Sequence, residues 1–185
     1  MYTFPNVCGA ALSMLCLSAG SLAQPPNTNL SSQHHARSPM VQQIRQVTAQ
    51  FRDVNNAVAA GYEPAASCVS GPDGGAMGIH YANRTLVEDG ELDVMQPEVL
   101  LYEPHAGGGM RLVAVEYVTF ADPWEAAHGT PATLEGHHFN LLGAPNRAGL
   151  PAHWELHVWA WKWNPMGTFA DWNPLVSCDA YVPLS

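Results

Sequence analysis

Three apolar, strand-like runs of this chain carry ionisable side chains where a sheet core would normally have none. His80 stands between Ile79 and Tyr81, Glu116 lies within Leu112 to Val118, and His157 lies within the tryptophan-rich run from His153 to Trp163. Buried glutamate is rare unless paired or coordinated, and a buried imidazole without a partner is costly. Neutral imidazoles and one carboxylate arriving from separate strands are the donors of a mononuclear cavity site for a divalent transition metal such as Zn, Cu or Fe. His80, Glu116, His157 and one of His137 or His138 would fill four positions and leave room for water. An ion held there can polarise a carbonyl or lower the pKa of bound water, and Glu116, if not a ligand, would serve as the base. No local motif such as H-E-x-x-H is present, as expected when ligands come from different strands. The competing reading satisfies each group separately: Glu116 through Arg111, Arg84 or Lys162, His157 through a backbone carbonyl or Glu155, and His80 in a turn.

The elements must bring these groups to one place. In the run from His153 to Trp163, Glu155, His157, Trp159, Trp161 and Trp163 share one face by the period of a strand, and Leu156, Val158 and Ala160 share the other. Bulk on both sides means a strand covered on both faces. The tryptophans either fill a core or form a stacking wall for a ligand. Trp154 and Trp172, near turns, and Tyr81 are candidate ligand contacts at a pocket rim.

One helix is clear. Ser38 suits its N-cap and Pro39 its first position. Val41, Ile44, Val47, Phe51, Val54 and Val58 make one apolar stripe, and Gly61 suits its C-terminal stop. Strands are expected over 76–81, 99–102 and 111–120, the last two joined as a hairpin by the glycine-rich turn at His105 to Gly109. A helical turn near Pro123, the tryptophan strand, and an edge strand over 180–182 follow. The fold class is therefore α+β: one N-terminal helix on a curved antiparallel sheet or partly open barrel, in a single domain over 38–185. Gly71 to Gly75 is a turn rather than a phosphate cradle, and no G-x-S-x-G is present. A carboxylate pair such as Glu103 with Glu116 for glycoside hydrolysis stays open, because their separation is not readable from sequence.

Residues 1–23 read as a signal peptide, with an apolar centre from Val7 to Leu17 and small residues at Ser21-Leu22-Ala23, and residues 24–37 as a polar, disordered leader. The expected location is secreted or periplasmic. Beyond the signal only Cys68 and Cys178 remain, and in an oxidising compartment two cysteines most simply pair. Such a bridge closes a loop of roughly 110 residues and contributes on the order of 4–5 kcal/mol in chain-entropy terms. The alternative is two unpaired buried thiols. The chain carries 7 basic and 16 acidic residues, a net charge of −9. No basic patch suits nucleic acid or an anionic membrane surface, and no apolar run is long enough to span a bilayer. A small-molecule ligand is the expected partner. The reading as a small metal-dependent enzyme stands against a non-catalytic ligand-binding or structural module with a Trp-rich core or cleft.

Gly61-Tyr62 with Cys68, Met77 to Tyr81, Pro97 to Pro104, Val115-Glu116-Tyr117, and Glu155 to Trp161 through Asn164 to Pro174 and Cys178 together resemble a family of small secreted bacterial proteins without assigned function. The resemblance covers most of the mature chain, and its C-terminal segment is the most specific part. It implies export and a single domain, and it supplies no reaction.

Overall fold

A computed structural model describes residues 38–71 and 74–183. The expected signal peptide and leader, 1–23 and 24–37, lie outside the described residues. Helix α1 (Pro39–Thr48) leads through a 3-10 turn (Ala49–Arg52) into α2 (Val54–Ala59). Strands β1 (Tyr62–Ser70) and β2 (Ala76–Asn83), helix α3 (Arg84–Asp89), and strands β3 (Val99–Pro104) and β4 (Met110–Phe120) follow. Helix α4 (Ala121–His128) precedes the short strands β5 (Thr133–Leu134), β6 (His137–His138) and β7 (Asn140–Leu142), and β8 (His153–Val158) is the last strand. The main sheet is antiparallel and open, in the order β1-β2-β3-β4-β8-β7, and β5 with β6 forms a separate two-stranded sheet. This is the expected α+β class in its open-sheet form. Among the described residues no helix is long and apolar enough to cross a membrane.

The expected single helix is broken, and the break has a physical cause. Thr48 Oγ1 donates back to the Ile44 carbonyl while accepting from Trp161 Nε1, and Asp53 caps a fresh helix by accepting from the Asn55 amide. The break releases the Phe51 carbonyl, which accepts a hydrogen bond of 2.6 Å from Tyr102. It also rotates the apolar stripe. Met40, Val41, Ile44, Phe51 and Ala57 are buried, whereas Val58 is 52% exposed.

The helices cover one face of the sheet, against Leu100, Tyr102, Val115, Tyr117, Leu156 and Val158. The other face is covered by the irregular chain after β8. There Met77, Val99, Leu101, Val113, Ala114, Val118, Trp159 and Val176 form a second apolar cluster. Ala76 and Asn173 exchange backbone hydrogen bonds, and the Cys68–Cys178 disulfide ties this cover to β1. A sheet buried on both faces is what the bulk on both sides of the tryptophan run required.

That run is shorter as a strand than its alternation suggests. β8 ends at Val158, and the amides of Trp161 and Lys162 both donate to the Val113 carbonyl at a bulge of β4. Trp159 stays buried on the face of Glu155 and His157, whereas Trp161 crosses to the helix side and bonds Thr48. The expected edge strand over 180–182 does not form.

Candidate metal centre and cavity

Parity along the strands decides what meets. Glu116 pairs across to His157 and to Val99, and Val118 pairs to Glu155. His80 pairs to Leu101, one pleat further along the same face. His80 Nε2 lies 3.7 Å from Glu116 Oε2, and His157 Nε2 lies 3.7 Å from Glu116 Oε1. The two imidazole rings meet edge to face with centroids 6.3 Å apart.

These separations exceed a hydrogen bond of about 2.7–3.2 Å. They sit close to the spacing of two donors sharing one ion. Two atoms each about 2.1 Å from a metal lie roughly 3.0–3.6 Å apart at bond angles of 90–120°. The donor atoms of His80, Glu116 and His157 all fall within 4.8 Å of one another, and so do those of a second group, Glu155, His157 and Asp171. Both groups can hold a metal ion. His157 belongs to both, and among the described residues neither of its ring nitrogens has a hydrogen-bond partner although the residue is buried. Its Nδ1 faces Asp171 Oδ1 at 3.7 Å, and that same oxygen accepts from Asn140.

The electrostatics follow from burial. Burial first, then the neighbouring His157, holds His80 down to about 3. Burial likewise lowers His157, against the opposing pull of Glu155 and Asp171. Both rings are therefore neutral, as ligands must be. Glu116 is pushed well above its ordinary range by burial and then by the charge of Glu155. Burial also pushes Glu155 upward, but the His153 hydrogen bond and the Arg147 charge overcome it and hold that carboxyl below its ordinary range. The two glutamates share a hydrogen bond, in which a protonated Glu116 donates to an ionised Glu155. Arg147 Nη2 lies 3.2 Å from Glu155 Oε1, and His153 Nε2 lies 3.5 Å from Glu155 Oε2. The other His153 ring nitrogen contacts the Pro151 carbonyl at 2.9 Å.

This cluster forms the floor of a cavity of about 580 Å³, reached by His80, Glu116, Glu155, His153 and Arg147. His157 stands behind it, out of contact with the cavity. The volume is typical of a small-molecule site.

Other expected site residues lie elsewhere. His137 is in the small β5–β6 sheet with its ring 3.9 Å from that of Phe169, and His138 beside it is exposed. Neither is in a ligand group among the described residues. They flank a turn of their own that never enters the main sheet. Tyr81 points to the helix side, where its ring packs 5.2 Å from Tyr102 and its hydroxyl meets Met110 Sδ. Trp154 faces that side too, in the larger apolar cluster. Trp172 does not line the cavity, but it carries the Arg147 guanidinium 5.6 Å above its ring. Glu103 is held by Lys162 at 2.8 Å and by the Ser177 amide, so it makes no pair with Glu116.

Asp171, Arg147, His153 and Glu155 are not among the site residues expected from sequence. His153 and Glu155 share the strand face of His157, and that parity was the available signal. Asp171 and Arg147 lie in irregular segments whose path no periodicity encodes.

Fold and site together define an α+β protein with a disulfide and a His/Glu/Asp cluster at the base of a cavity. No family model, no curated protein and no solved structure matches the chain.

Proposed function

We propose that His80, Glu116 and His157 hold one divalent transition metal ion, of the Zn, Cu or Fe class, and that the protein uses it on a small organic molecule in the adjoining cavity. The observation that carries this is His157, a buried imidazole with both nitrogens unpartnered and each facing a carboxylate at 3.7 Å. Leaving such a group unsatisfied costs about 1–3 kcal/mol. Coordination through Nε2 relieves that cost, and Asp171 then accepts from Nδ1–H and fixes the tautomer.

The ion would supply Lewis-acid chemistry, polarising a carbonyl or activating water. The chain's own residues divide the rest. Glu116 is a ligand in this arrangement and gives up its proton on binding. Glu155, held ionised by His153 and Arg147 and no longer sharing the Glu116 proton, is placed to take a proton from a substrate or water at the floor. Glu155 thus takes the role of base that the sequence suggested for Glu116. An oxidising, extracytoplasmic location fits the disulfide and the expected signal peptide. Membership of the secreted bacterial family remains part of this proposal, supported by the quoted motifs.

A second reading is a binding module without metal. It is favoured by the Glu116–Glu155 hydrogen bond, which already gives Glu116 a partner. Metal analysis separates the two. Purified protein, exposed to zinc and dialysed, is expected to retain about one equivalent, and His157→Ala to retain none. Undetectable metal in both would end the metalloprotein reading.

A further inference from the structure

The cavity is polar at its floor and apolar along its length. From Glu116 the inward side of β4 continues through Val118 to Phe120, which pairs to His153, and Leu142 of β7 pairs to His153 from the other side. Four residues of strand span about 13 Å. Val118, Phe120, Leu142 and Leu150 line this stretch. The remaining charged lining residues, Glu63, Arg84 and Glu88, are exposed and stand at the mouth, where Arg84 pairs with Glu88.

Arg147 reaches the floor from an exposed position, its side chain 43% exposed and its Nη2 3.2 Å from Glu155 Oε1. Its guanidinium lies over Trp172, and among the described residues only Nη2 is engaged, by Glu155 and Met77. A guanidinium carries five donors in a planar fork that matches a carboxylate. Two groups can therefore bind a carboxylate head there, the remaining N–H donors of Arg147 and the metal assigned above.

We propose that the cavity takes a monocarboxylate with an apolar body, its head against Arg147 and the metal floor and its body along Val118, Phe120, Leu142 and Leu150. The inference rests on the metal reading for the second contact of the head. The charges agree. With a divalent ion bound and Glu116 ionised, the ion and Arg147 balance Glu116, Glu155 and Asp171. The site is then neutral before His153 is counted, so one anionic head faces no net repulsion. The acidic mouth meets the far end of the body rather than the head.

The test is calorimetric titration of the zinc-loaded full-length protein with octanoate, acetate and 1-octanol, with zinc content measured on the same samples. Burying roughly six further methylenes predicts octanoate at least about 100-fold tighter than acetate, after allowance for incomplete burial. Leu150→Glu, at a position 40% exposed and so tolerant of change, is expected to weaken octanoate at least about tenfold and leave acetate unchanged. Arg147→Gln should weaken octanoate about tenfold or more and 1-octanol less than about twofold. Octanoate no tighter than acetate on zinc-replete protein, or indifferent to Leu150→Glu, overturns this ligand class and leaves the metal reading intact. Octanoate bound in an Arg147-dependent way by protein that retains no zinc supports the ligand class and overturns the metal reading. Loss of both zinc and octanoate binding overturns both.

Discussion

Two buried ionisable residues on opposite faces of the sheet illustrate how position sets chemistry. His157 faces the cavity side, where two carboxylates flank it without touching. Glu98 faces the helix side, 1% exposed, with one hydrogen bond of 3.1 Å from the Val118 amide. Burial first, then the nearby Asp89 and Asp93, raises the Glu98 carboxyl to about 8, while its own backbone amide and that of Val118 pull the other way. A carboxyl raised in the folded state stays protonated there after the unfolded chain has ionised. Stability therefore falls as pH rises from about 4.5 to about 8, because the unfolded state binds fewer protons across that window. The loss is on the order of 5 kcal/mol. Glu98→Gln keeps an acceptor for Val118 and cannot ionise. It is expected to match the parent near pH 4 and to be the more stable protein at pH 9, as read from thermal unfolding at both values. Equal pH profiles for the two proteins would refute the assignment. His80, Glu116 and His157 were legible in the sequence because an ionisable group inside an apolar strand is conspicuous wherever the strand later lies. His137 and His138 were misleading for the same reason in reverse: a His-His pair is conspicuous, but it sits in a hairpin that packs against Phe169.

Among the elements, β2 carries the tightest steric requirement. Gly78 has φ +102°, and a β-carbon there would stand 2.6 Å from the Tyr102 carbonyl oxygen of β3. Only glycine combines that backbone conformation with that approach. Gly78 is two residues from His80, so the close β2–β3 contact also fixes how far His80 reaches toward Glu116. Gly78→Ala is expected to cost about 3 kcal/mol or more in chemical denaturation, and to weaken zinc retention by shifting His80. A variant within ~0.5 kcal/mol of the parent would show that the strand tolerates the displacement. The strands and the β3–β4 hairpin could be read from periodicity and turn residues, and so could the helix start. The helix break could not, because it depends on Trp161, 113 positions away in sequence, reaching Thr48. β1 escaped notice because Pro64 and exposed residues interrupt its pattern, which an edge strand accommodates. β8 looked longer than it is, since the chain keeps alternating after Val158 while leaving the sheet.

At the scale of the whole molecule, the cavity face of the sheet depends on a cover without regular structure. The segment after β8 supplies Asp171 behind His157, Trp172 beneath Arg147, and the apolar residues Trp159 and Val176. Little secondary structure holds it down. Its attachments include the Ala76–Asn173 bridge, the Trp161 and Lys162 amides on the Val113 carbonyl, the Lys162 and Ser177 contacts to Glu103, the Asn140–Asp171 bond and the disulfide of Cys178 to Cys68, while the Asn164 and Asn173 side chains bond within the segment. The disulfide spans 110 positions, long enough that in chain-entropy terms it removes about 4–5 kcal/mol of freedom from the unfolded state. Its second effect is local, because it clamps the cover to the edge strand that walls the cavity at Pro64, Ala66 and Val69. Replacing both cysteines by alanine should therefore lower the unfolding midpoint by about 10 °C or more. It should also loosen Asp171 and Trp172 at temperatures where the sheet is still folded. Hydrogen exchange is expected to rise first in residues 170–178 and in β1 while β3 and β4 stay protected, and zinc retention to fall with it. Uniform exchange across sheet and cover would mean that the two unfold as one unit. The disulfide would then stabilise the fold without holding the site closed.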